Sequence, residues 1–167
     1  MGHFDKTILK KAHEIGKEIA INKYTLRFGG CHGYPHEAAK GAFENEGEVI
    51  AISPAKNKEE HVEKYRFPLS YISEIKYTHL GIPGRNLPLV IESDAVIIIS
   101  GQIGTLNEFT IAFYHKKPIG ILEGSGGITN LVKEIADICG RVGEKDRIVY
   151  SAEPKILINK LSDLNNQ

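Results

Sequence analysis

The stretch that decides the fold is AVIIISGQIGTLNEF, residues 95–109. It begins with an unbroken β-branched run over 96–99, continues through a turn rich in small residues at 100–104, and opens a helical pattern at Thr105. A strand without alternating polar residues is buried on both faces, as in a parallel sheet covered by helices. The run therefore predicts a central strand, with the turn at its carboxyl end.

The residues of this turn favour an anion. Gly101 and Gly104 allow positive φ angles and let a ligand approach the backbone closely. The N–H groups and the positive dipole end of the next helix attract negative charge, most often a phosphate. Glu108 follows one turn into that helix. The residues alone thus predict a phosphate-binding turn with one carboxylate beside it.

Outward from this stretch, strand-like and helix-like patterns alternate along the 167 residues. The predicted strands are 24–28, 48–54, part of 71–80, 95–99, 117–122 and 148–152. The predicted helices are 4–21, 36–43, one that carries Arg85 near its start and ends before Asp94, 105–115, 128–139 and 154–164. The charged stretch 55–66 is predicted to be a surface loop or a short exposed helix. Such alternation is typical of a doubly wound α/β fold, so we predict a single domain over 1–167 with a parallel sheet flanked by helices.

Charge and cysteine content narrow the class of protein. Lys plus Arg and Asp plus Glu number 21 each, so the formal net charge is zero. That balance argues against nucleic acid or a membrane surface as the main partner, and leaves room for a local basic patch. Cys31 and Cys139 form no metal-type pair and indicate reduced thiols. No apolar segment reaches the roughly 18 residues of a membrane span, and no leader precedes the first helix, so we expect a cytoplasmic protein.

A second glycine-rich turn follows the first predicted strand, in GGCHGYPHEAAKGA over 29–42. Gly29, Gly30 and Gly33 make this turn tight, and Pro35 suits the first position of the next helix. In a doubly wound sheet, ligands bind beyond the carboxyl ends of the strands, where both glycine turns lie. We therefore regard this turn as a second candidate for ligand contacts.

Other features of the sequence have simpler explanations. His32 and His36 have the i, i+4 spacing of a metal-binding pair, but Pro35 starts the helix between them and no further ligand cluster accompanies them, so we expect no metal. Cys31 is more readily a small apolar filler than a nucleophile. The GSGG turn over 124–127 is either a base or ribose contact or a plain connection.

Several motifs together resemble the LOG family. They are Gly29-Gly30-Cys31, the helix start HEAAKGA, Arg85 placed nine residues before Asp94, and the GTxxE of Gly104, Thr105 and Glu108. LOG proteins are Rossmann-like nucleotide-binding proteins, long labelled "lysine decarboxylase-like", in a wider group with DprA-like and molybdenum-cofactor-carrier-like members. The similarity runs from about Phe4 to Cys139.

The resemblance implies a phosphoribohydrolase. Such an enzyme cuts the N-glycosidic bond of a purine nucleoside 5′-monophosphate and releases the base and ribose 5-phosphate; we predict no cofactor. Arg85 and Glu108 are the implied catalytic pair. The implied phosphate- and nucleotide-binding residues are Gly29, Gly30, Gly33, Ser100, Gly101, Gln102, Gly104 and Thr105.

The residues themselves leave the chemistry open. A carboxylate near the ribose stabilises an oxocarbenium-like state or positions water, which suits Glu108. An arginine fork binds phosphate or polarises the leaving base, which suits Arg85. The two side chains could instead form a structural ion pair at the mouth of a pocket. The alternatives are then a non-catalytic nucleotide or molybdenum-cofactor-type carrier, or a scaffold whose glycine turns are only structural.

The sequence departs from the family pattern in three places. The family's PGGxGT is SGQIGT here, with Ser100 for proline and Gln102 for the second glycine. LOG enzymes act on cytokinin nucleoside 5′-monophosphates, and the first turn here is GGCHGYPHE rather than the GGGxxGLMG of the plant-type enzymes, which argues against strict cytokinin specificity. Family members also open with a strand and a GSS-type turn, whereas this chain starts with a helix at Phe4. A sheet without that strand exposes unpaired edges, and because the family is commonly dimeric we expect a homodimer.

Overall fold

The computed structural model describes residues 4–140 and 144–165. The chain forms two compact units, Met1–Leu89 and Val90–Gln167, which we call the N-terminal and C-terminal units. The helices of the described ranges are α1 (Lys6–Ile21), α2 (Tyr34–Glu44), α3 (Lys58–Glu63), α4 (Gly81–Ile91), α5 (Ile103–Tyr114), α6 (Val132–Cys139) and α7 (Pro154–Asn165). Short 3₁₀ turns occupy Gly127–Asn130 and Glu144–Arg147. None of the helices in these ranges is long and apolar enough to cross a membrane.

The N-terminal unit contains a three-stranded parallel sheet. Its strands are β1 (Leu26–Phe28), β2 (Val49–Ser53) and β3 (Glu74–Tyr77), in the spatial order β1–β2–β3. The middle strand β2 is buried along its whole length, as its apolar sequence VIAIS requires. Helices α1 and α2 pack so closely that a side chain at Gly16 would overlap the backbone of Ala38, and glycine at this position permits the contact. This packing fixes α2 directly after the first glycine turn.

The C-terminal unit repeats this arrangement. Its strands are β4 (Val96–Ile98), β5 (Ile119–Leu122) and β6 (Ile148–Ser151), all parallel and in the order β4–β5–β6. The middle strand β5 is completely buried. Phe109 and Ala112 of α5 belong to the buried core of this unit, together with Val132 and Ala136 of α6. The core thereby anchors α5, so that its first turn directly follows the strand β4.

The predicted fold class is confirmed. The chain is an α/β protein with parallel strands and flanking helices, and strand and helix alternate as the sequence patterns indicated. The described strands form two three-stranded ladders, and the prediction of one domain over 1–167 stays a prediction. The N-terminal helix, the helix that carries Arg85 and the C-terminal helix all lie where they were predicted, within a few residues.

One local prediction was wrong. The run over 96–99 was expected to be a central strand, but β4 pairs only with β5 among the described strands, and Val96 and Ile97 are half-buried. A β-branched run indicates that helices cover both faces of a strand, but it does not indicate which strands lie beside it in the sheet. The charged stretch 55–66 was expected to be a surface loop or a short exposed helix, and it contains the short helix α3, in which His61 is the one buried residue.

Candidate functional site

The turn after β4 is tightly constrained. We call residues 100–105 the β4–α5 turn. Ser100 and Gly101 both have left-handed backbone conformations, with φ angles of 52° and 91°. A side chain at position 101 would also collide with the side chain of Thr105. Only glycine satisfies both conditions at position 101, so the glycine identified from the sequence is required by the local geometry.

The helix after this turn begins without a side-chain cap. Gln102 is the N-cap residue of α5, but its side chain makes no cap hydrogen bond, and the first backbone bond runs from the Leu106 N–H to the Gln102 carbonyl at 2.9 Å. By contrast, the Asp5 carboxylate caps α1 by accepting hydrogen bonds from the N–H groups of Thr7 and Ile8. The oxygen of the Gln102 side chain therefore does not satisfy the N–H groups at the positive end of the α5 dipole.

Gly104 lies in the first turn of α5, where no neighbour among the described residues would crowd a side chain. A Cβ added at this position would have no neighbour within 4 Å, and Gly104 has no positive φ angle. A glycine inside a helix costs about 0.5–1 kcal/mol relative to alanine. Glu108 is half-buried and lies four residues after Gly104, hence on the same side of the helix. The helix thus presents open space and a carboxylate on one face.

A second glycine turn, residues 124–127, supports the first one. The Ser100 N–H donates to Ser125 Oγ at 2.8 Å, and the Ile128 N–H donates to the Gly101 carbonyl at 3.0 Å. Gly127 packs so closely on Gly101 that a side chain at 127 would overlap its carbonyl. This turn was predicted to be either a ligand contact or a plain connection. In the structure it holds the β4–α5 turn in place.

In the N-terminal unit, two of the predicted site residues lie against each other. Arg85 on α4 is 4% exposed, and its guanidinium packs onto Gly29 at the end of β1. A side chain at position 29 would overlap that guanidinium, so glycine is required there by the arginine and not by its own φ angle. The arginine is therefore nearly enclosed and packed against the backbone, unlike a mobile surface cation.

The other glycines of the first turn have structural partners. Gly30 has a φ angle of 75°, and a Cβ there would lie 3.0 Å from the His61 ring. Gly33 has a φ angle of 94° and lies against the ring of Phe4. It precedes α2, in which Pro35 occupies the first turn as predicted. The structure thus explains these glycines by local packing and backbone geometry, and their predicted role in nucleotide binding stays a prediction.

Three histidines hold one loop through its backbone. His32, His61 and His36 lie with Nε2 at 2.9, 3.0 and 3.2 Å from the carbonyl oxygens of Arg66, Pro68 and Ser70, respectively. A carbonyl can only accept, so each imidazole donates its Nε2–H. The i, i+4 pair His32 and His36 is therefore engaged with the loop in this arrangement.

His61 is the member of this group that sequence reasoning missed. Its Nδ1 accepts a hydrogen bond from Ser53 Oγ at 2.8 Å, so both ring nitrogens of the buried imidazole have partners. The neighbouring residues 58–60 and 63–64 are all charged, and this hid the position of the histidine within an exposed-looking segment. The role of Ser125 within the predicted turn 124–127 was missed for a related reason, since its two shortest hydrogen bonds are to backbone atoms that carry no sequence signal.

A family model described as the SLOG cluster4 family matches residues 1–158. The chain belongs to the SLOG cluster4 family. This membership confirms the resemblance to the wider group that includes LOG and molybdenum-cofactor-carrier proteins.

Individual relatives of this SLOG protein agree with the assignment. An uncharacterized protein of Archaeoglobus fulgidus is 31% identical over 123 residues, which cover 73% of this chain and 75% of that protein. The solved molybdenum cofactor binding protein of Rippkaea orientalis is 26% identical with a TM-score of 0.79, covering 97% of this chain and 90% of that chain. The molybdenum cofactor carrier protein of Chlamydomonas reinhardtii is 24% identical with a TM-score of 0.79, covering 100% and 96%. The fold is therefore the Rossmann-like fold of this group.

The histidine-bound loop predicts a pH-dependent stability. Burial lowers the pKa of His36 below its ordinary value of 6.5, and the hydrogen bond to the Ser70 carbonyl opposes this only in part. The unfolded chain therefore takes up a proton at higher pH than the folded chain does. We expect the free energy of unfolding to be highest above pH 6.5 and to fall as the pH drops toward the lowered pKa of His36.

Urea unfolding at a series of pH values between 5 and 8 measures this dependence. In the His36→Gln variant, the decrease in unfolding free energy below pH 6.5 should be smaller than in the wild type. An identical pH dependence in both proteins would show that His36 does not carry the effect.

Proposed function

We propose that this SLOG protein binds the phosphate of a purine nucleoside 5′-monophosphate at the β4–α5 turn and hydrolyses its N-glycosidic bond. The observation that carries the proposal is Gly104, a helical glycine at which an added Cβ would meet none of the described residues, with a carboxylate, Glu108, one turn further along the same face. A glycine without a structural reason, at the start of a helix, is explained by a ligand that comes close to the backbone.

The phosphate is proposed to lie at the N-terminus of α5. The N–H groups of the first helical turn point outward there, the helix dipole is positive, and the Gln102 side chain does not cap the helix. The tight conformation of Gly101 and Thr105 presents this end of the helix in a fixed orientation. Gln102 is exposed, and we propose that it contacts the phosphate or the ribose from the rim of the turn.

Glu108 is proposed to act on the ribose. In the reaction, the bond between C1′ and the base nitrogen breaks, its electron pair leaves with the base, and a water oxygen forms the new bond to C1′. A carboxylate stabilises the positive charge that develops on the ribose, or takes the proton of the attacking water. The helical position of Glu108 supports this role because phosphate and ribose are adjacent in the substrate.

Arg85 is proposed as the second functional residue. Its near-complete burial and its fit against Gly29 support a guanidinium held in one orientation, as recognition of a phosphate or of a leaving base requires. The Arg85→Lys exchange keeps the charge and loses the planar fork, and is therefore the informative variant at this position.

A second candidate function is a non-catalytic carrier of a phosphorylated cofactor. It is favoured by the similarity to the molybdenum cofactor binding protein of Rippkaea orientalis, which is 26% identical over nearly the whole chain. A carrier would use the same turn for a phosphate and would release its ligand unchanged. Incubation with AMP and N6-substituted AMP, followed by chromatography of free base and ribose 5-phosphate, separates the two functions.

The Glu108→Gln variant tests the catalytic carboxylate. We expect base release from the most active nucleoside monophosphate to fall about 100-fold or more, because the stabilisation of the developing positive charge is lost. Binding of the same nucleotide should change little. The matched control is Glu134→Gln on the exposed side of α6, which should keep full activity. Equal rates for wild type and Glu108→Gln would refute the assigned role, and binding without turnover in the wild type would favour the carrier.

The Gly104→Ala variant tests the phosphate site independently of catalysis. The added methyl group meets no protein atom within 4 Å, so stability in urea should stay the same or rise by up to about 1 kcal/mol. Because the methyl occupies the space proposed for the phosphate, calorimetric affinity for AMP should fall by about tenfold or more, which corresponds to about 1.4 kcal/mol. A Gly104→Ala protein that is stable and binds AMP as tightly as the wild type would contradict the proposal.

Other properties remain predictions of the sequence. These are the homodimer, the cytoplasmic location, and the absence of nucleic acid and membrane among the partners. Sedimentation of the purified protein measures the first of them directly.

A further inference from the structure

We propose that Ser125 is a positioning residue for the phosphate site, a role that rests on the proposed function of the β4–α5 turn. Ser125 lies in the glycine turn after β5, 25 residues from the backbone group that it binds. It does not itself belong to the turn that meets the phosphate. Its hydroxyl keeps that turn in the conformation that binding requires.

One hydroxyl joins the ends of two neighbouring strands. Ser125 Oγ accepts the Ser100 N–H at 2.8 Å and donates to the Leu122 carbonyl at 2.7 Å. Leu122 is the last residue of β5, and Ser100 follows shortly after β4. Ser125 is 6% exposed, so neither bond is readily replaced by water.

The Ser100 backbone needs such a restraint. A residue other than glycine in the left-handed conformation, at a φ angle of 52°, is strained unless its surroundings hold it there. The Ser100 N–H donates a hydrogen bond to Ser125 Oγ, and the Ile128 N–H donates one to the Gly101 carbonyl at 3.0 Å. The two bonds come from one loop and hold the two peptide groups on either side of the Ser100–Gly101 peptide, namely 99–100 and 101–102.

The hydrogen bond to Ser125 also determines whether the Ser100 N–H can bind a phosphate. The Ser100 N–H points to Ser125 and is not directed at a phosphate in this conformation. The Ser100 N–H is therefore not among the groups proposed to bind the phosphate, and Ser100 contributes through its backbone conformation. Without the Ser125 hydroxyl, the peptide that precedes Ser100 loses this hydrogen bond and can rotate, which changes the conformation of the turn.

The Ser125→Ala variant tests the inference through ligand affinity. AMP and adenosine are the probes, because they differ only in the phosphate. We expect the calorimetric affinity for AMP to fall about tenfold while any affinity for adenosine stays unchanged, since the loss concerns the phosphate site alone.

The control variant is Ser151→Ala. Ser151 is 7% exposed, and its Oγ accepts the Glu153 N–H at 3.0 Å and donates to the Glu153 carbonyl at 3.1 Å. It thus matches Ser125 in burial and in hydrogen bonding to backbone groups, but holds a different turn. The Ser151→Ala variant should bind AMP with the affinity of the wild type. A similar loss of AMP affinity in both alanine variants would show a general effect of destabilisation and would overturn the inference.

The Ser100→Gly exchange provides a second test, which also applies if Ser125→Ala alone does not fold. Glycine adopts the left-handed conformation without strain, so the loss of AMP affinity caused by Ser125→Ala should be smaller in the Ser100→Gly background. An undiminished loss in that background would contradict a positioning role. If the wild type does not bind AMP, the proposed function fails and the inference with it; if the wild type binds and Ser125→Ala binds equally well, the inference alone fails.

Discussion

The left-handed conformation of Ser100 and Gly101 is the constraint on which the candidate site depends. It turns the chain sharply at the end of β4, and the contact of Gly101 with Thr105 leaves one direction for α5 to start. Gly104 and Glu108 then follow by helical geometry on one face. A strained backbone persists only where its surroundings hold it, and here a separate loop does so. The conformation of the turn is thus tied to the packing of the C-terminal unit.

Strand, turn and helix were predictable from the sequence because they depend on local chemistry. The β-branched run over 96–99 predicted a strand, and β4 spans Val96–Ile98. The glycine at position 101 predicted positive φ angles, which the structure contains. The position of β4 in its ladder was not predictable, because β5, with the sequence IGIL, has the same apolar character and lies in the middle. The apolar content of a strand indicates that it is buried, but it does not indicate the position of the strand in the sheet.

The residues that hold loops in place within each unit escaped prediction for a different reason. His61 and Ser125 act through hydrogen bonds to backbone carbonyls and amides, and the chain offers such groups at nearly every residue. Gly29 was predicted as a residue of a tight turn that binds nucleotide, and the structure shows that it makes room for the guanidinium of Arg85. The sequence identified Gly29 and Arg85 as candidates, but it did not show that they contact each other.

The most direct test of the central claim is an amide NMR titration of the ¹⁵N-labelled protein. Addition of AMP should shift the N–H signals of residues 101–105 more than those of any other segment in the C-terminal unit, because hydrogen bonds to a phosphate change the environment of those amides. Addition of adenosine should leave these signals unchanged. Equal shifts with both compounds, or an AMP response that leaves residues 101–105 unchanged, would contradict a phosphate site at the β4–α5 turn.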